Sequence, residues 1–272
     1  MSLLSTTLMI ELALLGAVIG FLAGLLGIGG GMMMVPFITF ILTARGVGAD
    51  LAVKVAIATS MATIMFTALS SVRAHHQHGA VRWGIVWRLS PGIVVGSFAG
   101  SLGLFTWLKG SALSVLFAVF VSLSATQMLL AKKPAPTRQL PGTLGLSAAG
   151  GVIGFLSGLV GAGGAFISVP FMTWCNVAVH QAVATSAALG FPIALANSIG
   201  FVWSGQAITG LPEGAWGYVW LPGLMVIALA SVLMAPLGAR AAHALPVGKL
   251  KRIFAGVLYL LALTMLYKGC TP

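Results

Sequence analysis

Residues 18–40, VIGFLAGLLGIGGGMMMVPFITF, return at 152–174 as VIGFLSGLVGAGGAFISVPFMTW, a constant shift of 134 positions. The copying continues downstream. AIATS at 56–60 answers AVATS at 182–186, with the preceding loop eight residues shorter in the second copy. WGIVW at 83–87 answers WGYVW at 216–220, and Leu113, Phe117 and Met128 answer Leu250, Phe254 and Met265. Four anchors in one order make the chain two copies of one unit. Residues 1–131 are the first repeat and 144–272 the second. The linker between them, KKPAPTRQLPGT at 132–143, is polar, basic and rich in proline, and is expected in water on the cytoplasmic side.

Each copy breaks into five apolar segments. In the first they cover 6–26, 32–44, 51–72, 83–105 and 111–131; in the second, 144–160, 166–176, 179–203, 216–236 and 251–268. A bilayer-crossing helix needs about 20 residues, so the second segment of each copy is too short. It follows a run of glycines and carries a proline, Pro36 or Pro170, in its first turns, where proline is tolerated. Hydrophobic residues make up 59% of the chain and charged residues only 6%, too few to cover a soluble surface. That composition excludes a soluble globular enzyme, a disordered chain and a disulfide-stapled secreted domain. The expected fold is all-α, a polytopic membrane protein of two inverted repeats of about five helical segments each.

Charge placement supports inversion. The loop after the third segment holds Arg73 and Arg82, with Arg88 nearby, in the first copy, but only Glu213 in the second. The loop after the fourth segment holds only Lys109 in the first copy, but Arg240, Lys249, Lys251 and Arg252 in the second. With both termini outside, ten bases fall on the cytoplasmic side, and Arg45, Lys54, Lys109 and Lys268 fall outside. An eight-segment count, with each short segment a re-entrant hairpin, would make the halves parallel and leave this swap unexplained. The net charge of +11 therefore reads as positive-inside bias, not as a surface for nucleic acid. The N-terminus has no Lys or Arg and contains Glu11, so it reads as the first membrane segment and not as a cleaved leader.

Candidate site residues come from the breaks. GIGGG at 27–31 and GAGGA at 161–165 interrupt the helix and bare backbone N–H groups. Such backbone is tolerated at membrane depth only where protein or a water-filled cavity satisfies it. The helix that begins beyond each break points its positive end at the gap, which suits an anion. Gly29, Gly30, Gly31, Gly163 and Gly164 are the expected backbone donors. Thr59, Ser60, Thr185 and Ser186 lie about nine residues into their segments, ~13 Å from the interface, and their hydroxyls suit an oxyanion. Asn197, opposite Ser71 in the repeat, joins them as a rare amide in an apolar run. Lys54 and His180 occupy equivalent positions near segment starts and are expected at an entrance, as a fixed and a titratable cation.

The remaining features have structural readings. Glu11 is expected at an interface; Asp50 and Glu213 read as loop residues. His75, His76 and His78 form a solvated loop cluster that lacks further metal ligands, so no metal and no cofactor is expected. No nucleophile–base constellation is present, which argues against an enzyme. Gly16, Gly20 and Gly24, repeated as Gly150, Gly154 and Gly158, and the ladder Gly92, Gly96 and Gly100 have the spacing of close helix crossings. They are assigned to internal packing, with a homo-oligomer as the alternative. Trp83, Trp87, Trp216 and Trp220 read as interfacial belt residues. Cys175 and Cys270 read as apolar fillers.

At the repeated runs of glycines followed by V-P-F, and then A-T-S, the chain resembles the sulfite exporter TauE/SafE family of membrane permeases. The resemblance places the family's glycine-rich motifs on Gly27 to Pro36 and Gly161 to Pro170, and its A-T-S elements on Ala58 to Ser60 and Ala184 to Ser186. It implies a bacterial inner-membrane, multi-pass transporter whose partners are the lipid bilayer and a small anionic substrate, sulfite or an organosulfonate such as sulfoacetate. Ala165 stands where the first copy has Gly31, so the two half-sites need not be equivalent. The alternatives are an anion channel and a permease for another small organic anion.

Overall fold

A computed structural model describes residues 6–26, 30–77, 79–130, 138–244 and 247–270. Gly29, His78 and most of the linker expected at 132–143 lie outside the described residues. The first half contains α1 (Thr6–Leu26), α2 (Gly31–Ala44), α3 (Ala49–Gln77) and α4 (Trp83–Phe98). α4 runs through a π-helical segment (Ala99–Leu104) into α5 (Phe105–Trp107), and α6 (Gly110–Leu130) follows. The second half contains α7 (Thr143–Val160), α8 (Ala165–Trp174), α9 (Val179–Ser204), α10 (Leu221–Ala244) and α11 (Val247–Cys270). Among the described residues eight helical stretches are long and apolar enough to cross a membrane, with Trp83–Trp107 one of them. α2 and α8 are the two short apolar helices. At about 1.5 Å per residue they rise roughly 21 and 15 Å, short of the ~30 Å hydrocarbon core.

Contacts at the helix ends fix the course of the chain. Arg45, just past α2, pairs with Glu11 near the start of α1 at 3.0 Å, so α2 doubles back along α1. Between the two helices lies an apolar groove lined by Leu14, Val18, Met33 and Phe37. α3 then reverses again, with Ser60 beside Gly31, the first residue of α2. The next span runs against α3: His76 accepts from Trp83 Nε1 at one end, and Lys54 donates to Thr106 O at the other. α1 and the α4 span therefore point in opposite directions.

The halves interlock through glycine. A Cβ on Gly16 would lie 2.7 Å from Ile227 O, and one on Gly20 2.3 Å from Ser231 O, so α1 and α10 lie side by side and run the same way. Gly92 meets Ser147, Gly96 meets Gly151 and Gly100 meets Phe155, which sets α4 and α7 in the same parallel relation. These backbones touch because no side chain stands between them. The glycine ladders thus serve internal packing. α6 and α11 oppose each other, Gly269 against Ser111 and Tyr259 against Thr126. α3 and α9 form the centre, where Ile57, Ile64, Leu189 and Ile193 are buried. The outer faces of α1, α6, α10 and α11 expose Leu14, Leu123, Leu229, Leu233, Leu260 and Leu263, as a lipid-facing surface would.

One sequence anchor does not survive. WGIVW at 83–87 opens α4, whereas Ala215–Trp216 and Val219–Trp220 pair as a two-stranded hairpin that precedes α10. Glycine at 214 and 217 adopts positive φ there, so the chain turns before the helix begins. The fourth segment of the second half accordingly starts at Leu221 and not at 216. Trp220 is fully buried and donates Nε1 to Glu213 O, so it is a core residue and not part of an interfacial belt. Trp83, Trp87 and Trp216 are exposed.

Candidate functional site

Each short helix is preceded by a glycine in a backbone conformation that glycine adopts readily. Gly30 (φ 51°, ψ −17°) and Gly164 (φ 74°, ψ −10°) are both left-handed, and each is followed by a right-handed first turn. That alternation turns successive amides toward one side, the geometry of a backbone anion nest. In α8 the amides of Ile167 and Ser168 both return to Gly164 O. Those of Ala165 and Phe166 have no backbone partner among the described residues and form the open positive end of the helix. In α2, Met33 N returns to Gly30 O, which leaves the amides of Gly31 and Met32 nearest the break.

The two breaks meet. Ser60 Oγ lies 3.2 Å from Gly31 O and 3.1 Å from Gly161 O, and its one hydrogen is shared between these carbonyls of opposite halves. A Cβ on Gly31 would fall 2.7 Å from Gly161 O. Ile64, one turn beyond Ser60, closes the contact: its side chain abuts both Gly31 and Gly163. Ser60, Gly31, Gly161, Gly163 and Gly164 are all buried near mid-length of α3.

The other hydroxyls are placed differently from one another. Thr59 Oγ1 accepts from Trp220 N at 3.0 Å, and Thr185 Oγ1 accepts from Arg82 N at 3.0 Å. Trp220 and Arg82 are the residues immediately before α10 and α4, so each threonine receives the start of the fourth helix of the opposite half. Neither threonine hydrogen has an acceptor among the described residues. Ser186 pairs with Ser168 of α8 at 2.7 Å, both buried. Asn197 is not at the breaks' junction; it packs against Gly158 of α7 and donates Nδ2 to Ile193 O of its own helix.

The entrance residues diverge as well. Lys54 is half-buried, donates to Thr106 O and stands 5.8 Å from the ring centroids of Phe105 and Tyr218. It is therefore held at the junction of α3 with α5, about two turns before Ser60. His180 is exposed at the start of α9. Glu11 lies in the second turn of α1, paired with Arg45, and Asp50 departs from its loop reading: it sits in the first turn of α3 and accepts from Ser111 N to cap α6. The threonine-bound amides of Arg82 and Trp220 carry no sequence signal, since any residue supplies an N–H. Ser168 could have been found as a hydroxyl inside a short apolar helix just beyond a break.

Comparison with known proteins gives a consistent picture. A family described as sulfite exporter TauE/SafE matches residues 12–265. A probable membrane transporter protein of Haemophilus influenzae is 36% identical over 257 residues, which cover 94% of this chain and 97% of that one. The probable membrane transporter protein YunE of Bacillus subtilis is 30% identical over 233 residues, 75% of this chain and 84% of its own. The probable membrane transporter protein MJ0441 of Methanocaldococcus jannaschii is 27% identical and covers 94% of both chains. No solved structure matches the chain.

Proposed function

Because this chain belongs to the sulfite exporter TauE/SafE family, as a multi-pass membrane transporter, we propose that it is a secondary permease for a small sulfur-containing anion, sulfite or an organosulfonate, in a bacterial inner membrane. The observation that carries this reading is the junction of the two glycine breaks at Ser60, with the positive ends of α2 and α8 directed at it. Described charged side chains lie toward helix ends and loops, not at the junction. The solute is met there by amide hydrogens, while the hydroxyls of Thr59 and Thr185 are turned to the starts of α10 and α4. An anion bound by dipoles alone is held without a fixed countercharge, which favours release as well as capture.

The helix directions support two inverted halves. α1 opposes the α4 span, while α10 runs with α1 and α7 runs with α4. One end of the bundle then carries Arg45, Lys54, Lys109 and Lys268 with all three acids, Glu11, Asp50 and Glu213. The other carries Arg73, Arg82, Arg88, Arg138 and Arg252. The second end is cytoplasmic by the positive-inside rule. Rocking of one half against the other about the α3–α9 contact would expose the junction alternately to each side. Proteoliposomes loaded and challenged with radiolabelled sulfite and sulfoacetate test the reading. Saturable uptake with counterflow is expected, and absence of flux for every sulfur anion tried removes the substrate assignment.

A further inference from the structure

We propose a small monovalent cation site, of sodium size, in the buried seam between α4, α7 and α9. Ser97, Ser157 and Asn197 are at most 1% exposed, and Ser97 Oγ, Ser157 Oγ and Asn197 Oδ1 are buried without a hydrogen-bond partner. Ser157 belongs to α7, and the other two lie against the same two turns of that helix. A Cβ on Gly154 would lie 2.8 Å from Ser97 Oγ, and one on Gly158 2.2 Å from Asn197 Oδ1. Ser157 Oγ lies 3.2 Å from where a Cβ on Gly164 would stand, so the seam adjoins the second glycine break. Three unpartnered oxygens in one apolar interface are costly unless something occupies the space between them.

The sign of that occupant is set by Asn197. Its Nδ2 is committed to Ile193 O at 2.9 Å, which leaves Oδ1, an acceptor only, facing the seam. Rotating the amide would set Oδ1 against the Ile193 carbonyl, two acceptors together, so this orientation is fixed. Serine hydroxyls serve either sign, and Oδ1 excludes an anion. α7 also ends at Val160, and its last carbonyls give this region the negative end of a helix. Neutral oxygens plus a half-helix C-terminus form the donor set for a coupling cation in transporters built on broken helices. The adjoining stretch of the α4 span is π-helical, Ala99–Leu104, and Ser101 within it is pressed against Gly200 of α9. π-helical turns concentrate at functional sites. The site is one-sided: Ala23 stands in the first half where the second has Ser157.

This deepens the permease reading by assigning a coupling ion, and the test is chosen to stand apart from anion transport. Thermal unfolding of the full-length protein in nanodiscs is followed in NaCl and in equimolar choline chloride, without any anion substrate. A saturable rise in melting temperature specific to sodium is expected. Asn197→Leu removes the rise. Ser157→Ala raises the half-saturating concentration about tenfold, and Asn197→Asp, which keeps an acceptor in place, retains the rise and lowers that concentration. Equal melting in the two salts overturns the site and leaves a hydrated polar seam. A sodium rise that persists in Asn197→Leu overturns it as well. Where that variant is not recovered folded, unchanged half-saturation in both Ser157→Ala and Asn197→Asp does the same.

Discussion

Ser60 Oγ of α3 reaches Gly161 O, 3.1 Å away, across the boundary between the two halves of the molecule. The same hydroxyl reaches Gly31 O of its own half. One side chain thus holds both glycine breaks in register. Ser60→Ala leaves two buried carbonyls without this donor, at a cost of about 1–3 kcal/mol. The expected result is a lower melting temperature together with reduced uptake per folded molecule. Ser60→Cys, with a weaker donor, should fall between. Thermal unfolding and proteoliposome flux measured on the same preparations check this.

The left-handed glycines give a second expectation. Gly30→Ala and Gly164→Ala each incur roughly 1–2 kcal/mol for the backbone conformation alone. Each also brings a Cβ to 2.5 Å from an isoleucine, Ile19 or Ile193. Both variants should lose stability and anion affinity. Gly84→Ala and Gly256→Ala, where a Cβ meets nothing within 4 Å, are the matched controls and should behave as wild type. Melting temperatures of the four variants side by side decide the matter.

The crossing glycines behave differently, because their neighbours are backbone. A Cβ on Gly96 would stand 1.9 Å from Gly151 O and one on Gly20 2.3 Å from Ser231 O. Neither neighbour can move without separating two helices. Gly96→Ala and Gly20→Ala should each destabilise by about 1–3 kcal/mol or more from overpacking, with the larger valine failing to yield folded protein. Yield of monodisperse protein after extraction, followed by thermal unfolding, provides the measurement.

Much of this was legible in the sequence, for reasons that can be named. Spacing of four among Gly92, Gly96 and Gly100 marks one helix face in any context, and it predicted a close helix crossing, which the structure makes with α7. The breaks at 27–31 and 161–165 stood out because glycine and proline there act on the backbone itself. What stayed hidden depends on long-range register. Nothing local shows that Ser60 faces Gly161, 101 residues away, or that Thr59 receives Trp220 N. The W-G-x-V-W match misled for the same reason: Trp220 has the residue type of an interfacial anchor, and only the hairpin before α10 turns it into the core.

Inversion makes a labelling pattern. In a Cys270→Ser background, Gln206→Cys lies in the loop after α9, on the end that carries Arg45 and Lys268. Gln77→Cys and Gln139→Cys lie at the other end; the neighbouring Arg138 is stacked on Trp174 at the close of α8. All three glutamines are exposed. A membrane-impermeant maleimide added to whole cells should modify position 206 and spare 77 and 139 until the membrane is opened. Modification of 77 together with 206 in intact cells would refute the inverted arrangement.

Ile64 yields the most direct test of the junction itself. Its side chain is 2% exposed and touches both breaks, with Cδ1 2.5 Å from a Cβ on Gly31 and Cγ2 3.3 Å from one on Gly163. It therefore occupies the space in which the two positive helix ends would face a shared solute. Ile64→Ala opens that space at a stability cost of about 2–5 kcal/mol, and should change the concentration dependence of flux as well as the melting point. Ile64→Phe fills the space further and should block flux, because the breaks could no longer approach one anion together. Initial rates of sulfite uptake, normalised to folded protein, separate these effects from stability. Identical normalised kinetics in wild type and both variants would place the solute path away from the junction.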